Sequence, residues 1–109
     1  MCGIAGIITR DPLHADDHER VARMSNALIH RGPDGSGEFH SRHIALAHRR
    51  LSIIDLSNGQ QPLYNEDASL ILIANGEIYN FIELRSELEA RGHCFKSGSD
   101  CEVILHLYE

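Results

Sequence analysis

Residues 30–37 read HRGPDGSG, three glycines and a proline in eight positions. No regular helix runs through such a stretch, because glycine carries the largest conformational entropy cost and proline removes a backbone donor. The break therefore separates helical chain before it from extended chain after it. Ahead of it, GIAGIIT (3–9) is a continuous apolar run with β-branched residues, predicted as a small, largely buried strand. RDPLHADD reads as a loop in which Asp16 or Asp17 caps a helix. That helix carries Val21, Met24 and Leu28 on one face and ends near Ile29. Beyond the break, GEFHS and HIALAH read as a strand hairpin turning at residues 41–42, and RLSIID as another short apolar segment.

In the second half, LSNGQQPLYNEDA is turn-rich and expected to be exposed, while SLILIAN is the clearest candidate for a buried strand. After NGEIY, Asn80 is placed to cap a helix with Glu83 three residues on. Its inward positions are Phe81, Leu84 and Leu88, and Gly92 is the expected stop. HCFK reads as a short strand, and SDCE as a capping box with Ser99 at the N-cap and Glu102 at N3. Strands and helices intersperse without repeats, so the predicted class is α+β. The last helix has barely begun when the 109 residues end, and its apolar Val103, Ile104 and Leu107 need a partner. The expectation is that this is the front portion of a longer protein.

Composition excludes several classes. The net charge of −6, without a block of Lys and Arg, argues against a nucleic-acid-binding face. No apolar run reaches membrane-spanning length, and no signal peptide is recognisable, so the cytoplasm is the expected compartment. Cys2, Cys94 and Cys101 lack CxxC spacing and do not make a disulfide framework. The eight histidines form no HExxH, and no metal site is expected.

Four stretches could carry chemistry. With Met1 removed, Cys2 holds a thiol and a free α-amine on one residue. The thiol titrates near pH ~8.5 and the amine near ~7.7–8.0, so nucleophile and base are pre-assembled. The bland alternative is a small buried thiol on the first strand. Asn75 and Gly76 in NGEIYN follow a predicted strand and offer a side-chain amide and an approachable N–H, an oxyanion-hole pair, although Asn-Gly is also a hairpin dipeptide. In HRRLSIID, Arg49 and Arg50 point to opposite faces of an extended chain, so only one faces any pocket, where its planar fork suits a carboxylate. Asp100 in GSDCE sits at an expected first helical turn, either serving the helix dipole or gripping an ammonium group. Together these suit glutamine, with an amide to attack, a carboxylate and an ammonium.

CGIAGI, HRGPDGSG, HRRLSIIDLSNGQQPL, NGEIYNFIELRSEL and SDCEVILHLYE, in that order and spacing, closely resemble the glutamine-hydrolysing asparagine synthetases, which begin with a class II, N-terminal-nucleophile glutamine amidotransferase domain. The resemblance covers essentially the whole chain and implies residues 2–109 as an incomplete amidotransferase domain, the N-terminal part of a four-layer αββα sandwich. It implies Cys2 as the nucleophile that forms a γ-glutamyl thioester and releases ammonia. Arg50 is implied to pair with the glutamine α-carboxylate, the backbones of Leu51, Ser52, Ile53 and Ile54 to line the pocket, Asn75 and Gly76 to form the oxyanion hole, and Glu77 and Asp100 to hold the α-amino group. Arg49 receives no role. No cofactor is implied for glutamine hydrolysis. ATP, Mg2+ and aspartate are implied for a synthetase domain whose SGGxDS signature this sequence lacks, and a homodimer is common among the relatives. Two other readings stay open: the glutaminase part of a different amidotransferase, and a truncated non-catalytic homologue acting as an interaction module.

Overall fold

The computed structural model describes residues 1–52 and 57–109. Its elements are β1 (Gly3–Ile8), α1 (Ala15–Ala27), β2 (Gly35–His40), β3 (Ile44–Arg50), β4 (Leu63–Tyr64), β5 (Ile71–Leu72), α2 (Phe81–Ala90) and α3 (Glu102–Tyr108). This is a small α+β arrangement with three helices among the described residues. None of these helices is long and apolar enough to cross a membrane.

Strand β3 is the centre of an antiparallel sheet ordered β1-β3-β2. Alternate residues of a strand face opposite sides, and β3 uses both. Ala45 and Ala47 are fully buried beneath Val21 of α1, with Ile7 and Leu13 packed alongside. The small alanines let the helix lie close to the sheet. Arg49 continues that face and donates Nε to the Ser25 carbonyl at 3.1 Å and Nη2 to Asn26 at 2.6 Å. It is a tie between helix and strand. The opposite face carries Leu46, His48 and Arg50, and towards its outer edge Ile8 remains 77% exposed.

Several expectations about α1 shift. The N-cap position is His14, and Asp17, one turn in, accepts the His14 N–H at 3.0 Å. That bond holds the Asp17 carboxyl below its usual range. The buried stripe is Val21 and Ser25, with Met24 at 38% exposure. Ser25 is tolerated inside because its hydroxyl accepts a hydrogen bond from Arg49.

The second half departs further from its pattern. SLILIAN is half-buried and pairs as a strand only through Leu72 and Ile71, opposite Leu63 and Tyr64. Side-chain amides replace the missing ladder. The Leu70 N–H donates to Asn65 Oδ1 at 2.9 Å, and the Ala74 N–H to Gln61 Oε1 at 2.6 Å. The segment expected to be exposed therefore buries Gly59, Gln61, Leu63 and Asn65. Gln61 reaches its place because the chain crosses directly over Gly37 of β2, where any Cβ would overlap the Gln61 carbonyl.

Helix α2 stops as expected, with Gly92 at φ +98° just past the Arg91 cap. HCFK forms no strand. The expected capping box also dissolves, because α3 begins only at Glu102 with Cys101 as N-cap. Glu102, fully buried, instead accepts the Lys96 N–H at 2.7 Å, the Ser97 N–H at 2.8 Å and the Ser97 hydroxyl. A core of Leu63, Cys101 and Leu105, packed on Leu70, Leu72 and Ala74, joins α3 to the small sheet. Val103 is buried as expected, whereas Leu107 is exposed.

Removing the Glu102 carboxylate would orphan the buried Ser97 N–H and the part-buried Lys96 N–H. Glu102→Ala is expected to lower the unfolding free energy by about 3 kcal/mol in urea denaturation.

Candidate active site

Five separate segments, among them the stretch before β4 with Gly59 and Gln61, enclose one cleft of about 320 Å3, in the size range of small-molecule sites. Cys2 enters from the start of the chain, His48 and Arg50 from β3, and Leu51 from just beyond it. Asn75, Gly76 and Glu77 come from the turn before α2, and Ser99, Asp100 and Cys101 from the approach to α3. Of the residues expected in a site, Cys2, Arg50, Leu51, Asn75, Gly76, Glu77 and Asp100 all line this cleft. Ser52 does not; its N–H donates to the Asp34 carboxylate at 2.8 Å, which docks the HRGPDGSG loop on the end of β3. Ile53 and Ile54 lie outside the described residues.

The Cys2 thiol sits against the Leu51 backbone. Its Sγ accepts the Leu51 N–H at 3.2 Å and stands 3.6 Å from the Leu51 carbonyl. Arg31 Nε donates to the Cys2 carbonyl at 3.2 Å, so the residue is held on both sides. Arg50 is buried in the wall while its neighbour Arg49 turns to α1, the opposition that strand alternation requires.

Asn75 and Gly76 are not a hairpin turn, since the chain runs from β5 into α2. Four side chains, His48 among them, hold the backbone around them. Gln61 grips Ala74 on both sides, accepting its N–H and donating Nε2 to its carbonyl at 3.2 Å. Asp100, which precedes α3 instead of opening it, accepts the Ile78 N–H at 2.6 Å. The Cys101 thiol donates to the Gly76 carbonyl at 3.6 Å. Burial, then the neighbouring Asp100 charge, pushes that thiol up to about 12, so it keeps the proton it donates.

Gln61, His48 and Cys101 were missed in the sequence. Each acts on the site through backbone that is distant in sequence, which no local spacing reveals. His48 Nε2 donates to the Ala74 carbonyl at 3.2 Å, and Nδ1 is buried without a partner among the described residues. Burial pushes the imidazole below its ordinary value, the Ala74 bond opposes this, and the Arg50 charge adds to the lowering. The ring is therefore neutral.

A lowered folded-state histidine means that the unfolded chain binds the extra proton first. Stability from His48 is fully present above pH ~6.5 and is lost as pH falls below it. Urea titrations from pH 7 to 5 are expected to show this loss, and His48→Gln is expected to flatten it. Gln61→Leu leaves the Ala74 N–H unpaired; it is expected to cost about 1–3 kcal/mol and to speed hydrogen exchange at the Ala74 amide.

Comparison with known proteins gives a consistent answer. A family profile described as "Glutamine amidotransferase domain" matches residues 1–109. "Asparagine synthetase [glutamine-hydrolyzing] 1" of Bacillus subtilis is 51% identical over 110 residues, covering 99% of this chain and 17% of the relative. "Asparagine synthetase [glutamine-hydrolyzing]" of Sandersonia aurantiaca is 52% identical across 100% of this chain and 20% of its own length. The corresponding enzyme 1 of Arabidopsis thaliana is 48% identical, with 100% and 18% covered. The chain thus spans about a fifth of the length of these relatives. The match along every residue and the profile across the full 109 positions show that the chain belongs to the glutamine amidotransferase domain family.

Proposed function

We propose that residues 2–109 are part of a glutaminase domain that hydrolyses the side-chain amide of L-glutamine, and that Cys2 is its nucleophile once Met1 is removed. The observation that carries this reading is the convergence of Cys2, Arg50, Asn75, Gly76, Glu77 and Asp100 on one cleft. A cleft with one buried guanidinium and two acids suits a zwitterionic amino acid. Arg50 grips the α-carboxylate through its planar fork, and Glu77 and Asp100 attract the α-ammonium. Leu51 lines the same wall.

The freed α-amine takes the proton from the Cys2 thiol, and the thiolate attacks the amide carbon. The oxyanion that develops is met by the Asn75 amide and the Gly76 N–H, held in advance of reaction by the tethered turn. Collapse expels ammonia, protonated by the same amine, and leaves a γ-glutamyl thioester. Water attacks the thioester through a second oxyanion at the same donors, releasing glutamate and restoring the thiol.

By likeness to the relatives, the ammonia serves ATP-dependent amidation of aspartate in a synthetase domain, in the cytoplasm and with a homodimer as the assembly. ATP and Mg2+ belong in this reading to the synthetase domain, and no step above runs through them. In this reading the two small sheets belong to a four-layer αββα sandwich whose remaining layers cover the face bearing Ile8.

Mass spectrometry of the protein from cells is expected to show Met1 absent. Cys2→Ala is expected to lower glutamine hydrolysis by at least about 1,000-fold. Arg50→Lys, losing a charge-assisted fork, is expected to raise KM for glutamine roughly tenfold or more with kcat little changed. Retained Met1, or hydrolysis undiminished in Cys2→Ala, overturns the assignment.

A further inference from the structure

Glu66, His93, His106 and Glu109 meet outside the cleft, and none of them lines it. Glu66 follows β4, His93 follows α2 directly after Gly92, and His106 and Glu109 come from the end of α3. Each imidazole Nδ1 faces both carboxylates. His93 Nδ1 lies 2.9 Å from Glu109 Oε2 and 3.3 Å from Glu66 Oε1; His106 Nδ1 lies 3.0 Å and 3.3 Å from the same two atoms. All four atoms fall within 4.8 Å of one another. A tetrahedral zinc site with bonds of about 2.0–2.1 Å has ligand-to-ligand edges of about 3.3 Å. Four edges here already approach that length.

The orientation of His106 makes a second argument. Its side chain is completely buried, under Phe95 at 4.4 Å between ring centroids and beside His93 at 5.1 Å. Nε2 is buried without a hydrogen-bond partner among the described residues, although Glu102 Oε1 stands 3.5 Å away. If the neutral ring keeps its proton on Nδ1, the Nε2 lone pair faces a carboxylate. If the proton sits on Nε2, the Nδ1 lone pair faces two carboxylates. A cation between the four atoms satisfies both nitrogens, as a second ring proton also would: Nδ1 gives its lone pair to the metal, and the Nε2 proton turns towards Glu102. A carboxylate behind a metal-bound imidazole is the usual outer support of such a ligand. The Cys94 N–H, 2.9 Å from Glu66 Oε1, holds that carboxylate in place.

We propose that Glu66, His93, His106 and Glu109 form a four-coordinate Zn2+ site that ties the β4–β5 loop and the end of α2 to the end of α3. Two neutral imidazoles and two carboxylates balance the charge of one divalent ion. The ligands are scattered over 44 positions (66 to 109) with no short metal-binding motif, which is why the sequence pattern predicted none. The site is independent of glutamine chemistry.

The test uses untagged protein stripped of metal with a chelator, titrated with Zn2+ and followed by calorimetry and by imidazole 15N resonances. One Zn2+ per chain is expected. The Nδ1 resonances of His93 and His106 are expected to shift while those of His18 on α1 and His40 on β2, an exposed pair outside the cluster, stay in place. Glu66→Gln and His93→Gln are expected to weaken binding by more than about tenfold, and His18→Gln to leave it unchanged. Zn2+ is expected to raise Tm in the wild type and not in the first two variants. The proposal fails if Zn2+ leaves the two resonances unmoved, if it binds through thiols instead, or if Glu66→Gln and His93→Gln bind as tightly as wild type. Should either variant not fold, the wild-type resonances decide alone.

Discussion

Side chains along β3 alternate between two neighbourhoods, and the rest of the structure is arranged around that alternation. Ala45, Ala47 and Arg49 face α1, two by close packing and one by hydrogen bonds to the helix backbone and its side chains. His48 and Arg50 face the other way, one holding the Ala74 carbonyl and the other entering the cleft. The pairing register extends the division to both neighbours. Gly3 lies opposite Arg49 and faces Leu28 of the chain after α1, whereas Gly37 lies opposite His48 and makes room for Gln61. A one-residue slip would exchange the two faces completely, placing the His48 imidazole under the helix and an alanine in the cleft.

The second constraint is electrostatic. The turn that carries Asn75 and Gly76 has little regular structure of its own, yet its flanking backbone groups are satisfied. Gln61 acts there as a detached piece of peptide, donating and accepting at once. Asp100 and Cys101 arrive from a different element and complete the set. The thiol of Cys101 serves because burial and the Asp100 charge keep it protonated.

The parts legible in the sequence are those whose signals are local. Strand β1, the β2–β3 hairpin and the glycine stop of α2 follow from apolar runs, alternation and a position requiring positive φ. The family resemblance selected Arg50 over Arg49, and the cleft is indeed lined by Arg50. What stayed hidden was satisfied at long range. Gln61 and Asn65 lie in a segment that reads as exposed turn, yet they are buried because their amides replace strand partners for residues up to 13 positions away. Ser99 and Glu102 have capping-box spacing, but α3 begins later and the carboxylate is committed to the residues 96–97 backbone. His48 resembles any strand histidine until its partner is known.

The tethered turn has a further consequence, for the durability of the molecule. Asparagine followed by glycine is the peptide sequence most prone to spontaneous deamidation, because the glycine nitrogen can swing onto the asparagine side chain and close a succinimide ring. Closure requires rotation about the bonds on either side of Asn75. Those bonds are restrained here, since Ala74 is held at both its N–H and its carbonyl and the Gly76 carbonyl is held by Cys101. Ageing of this loop is therefore governed by how often the fold opens, and a chain that stays folded protects the Asn75 side-chain amide.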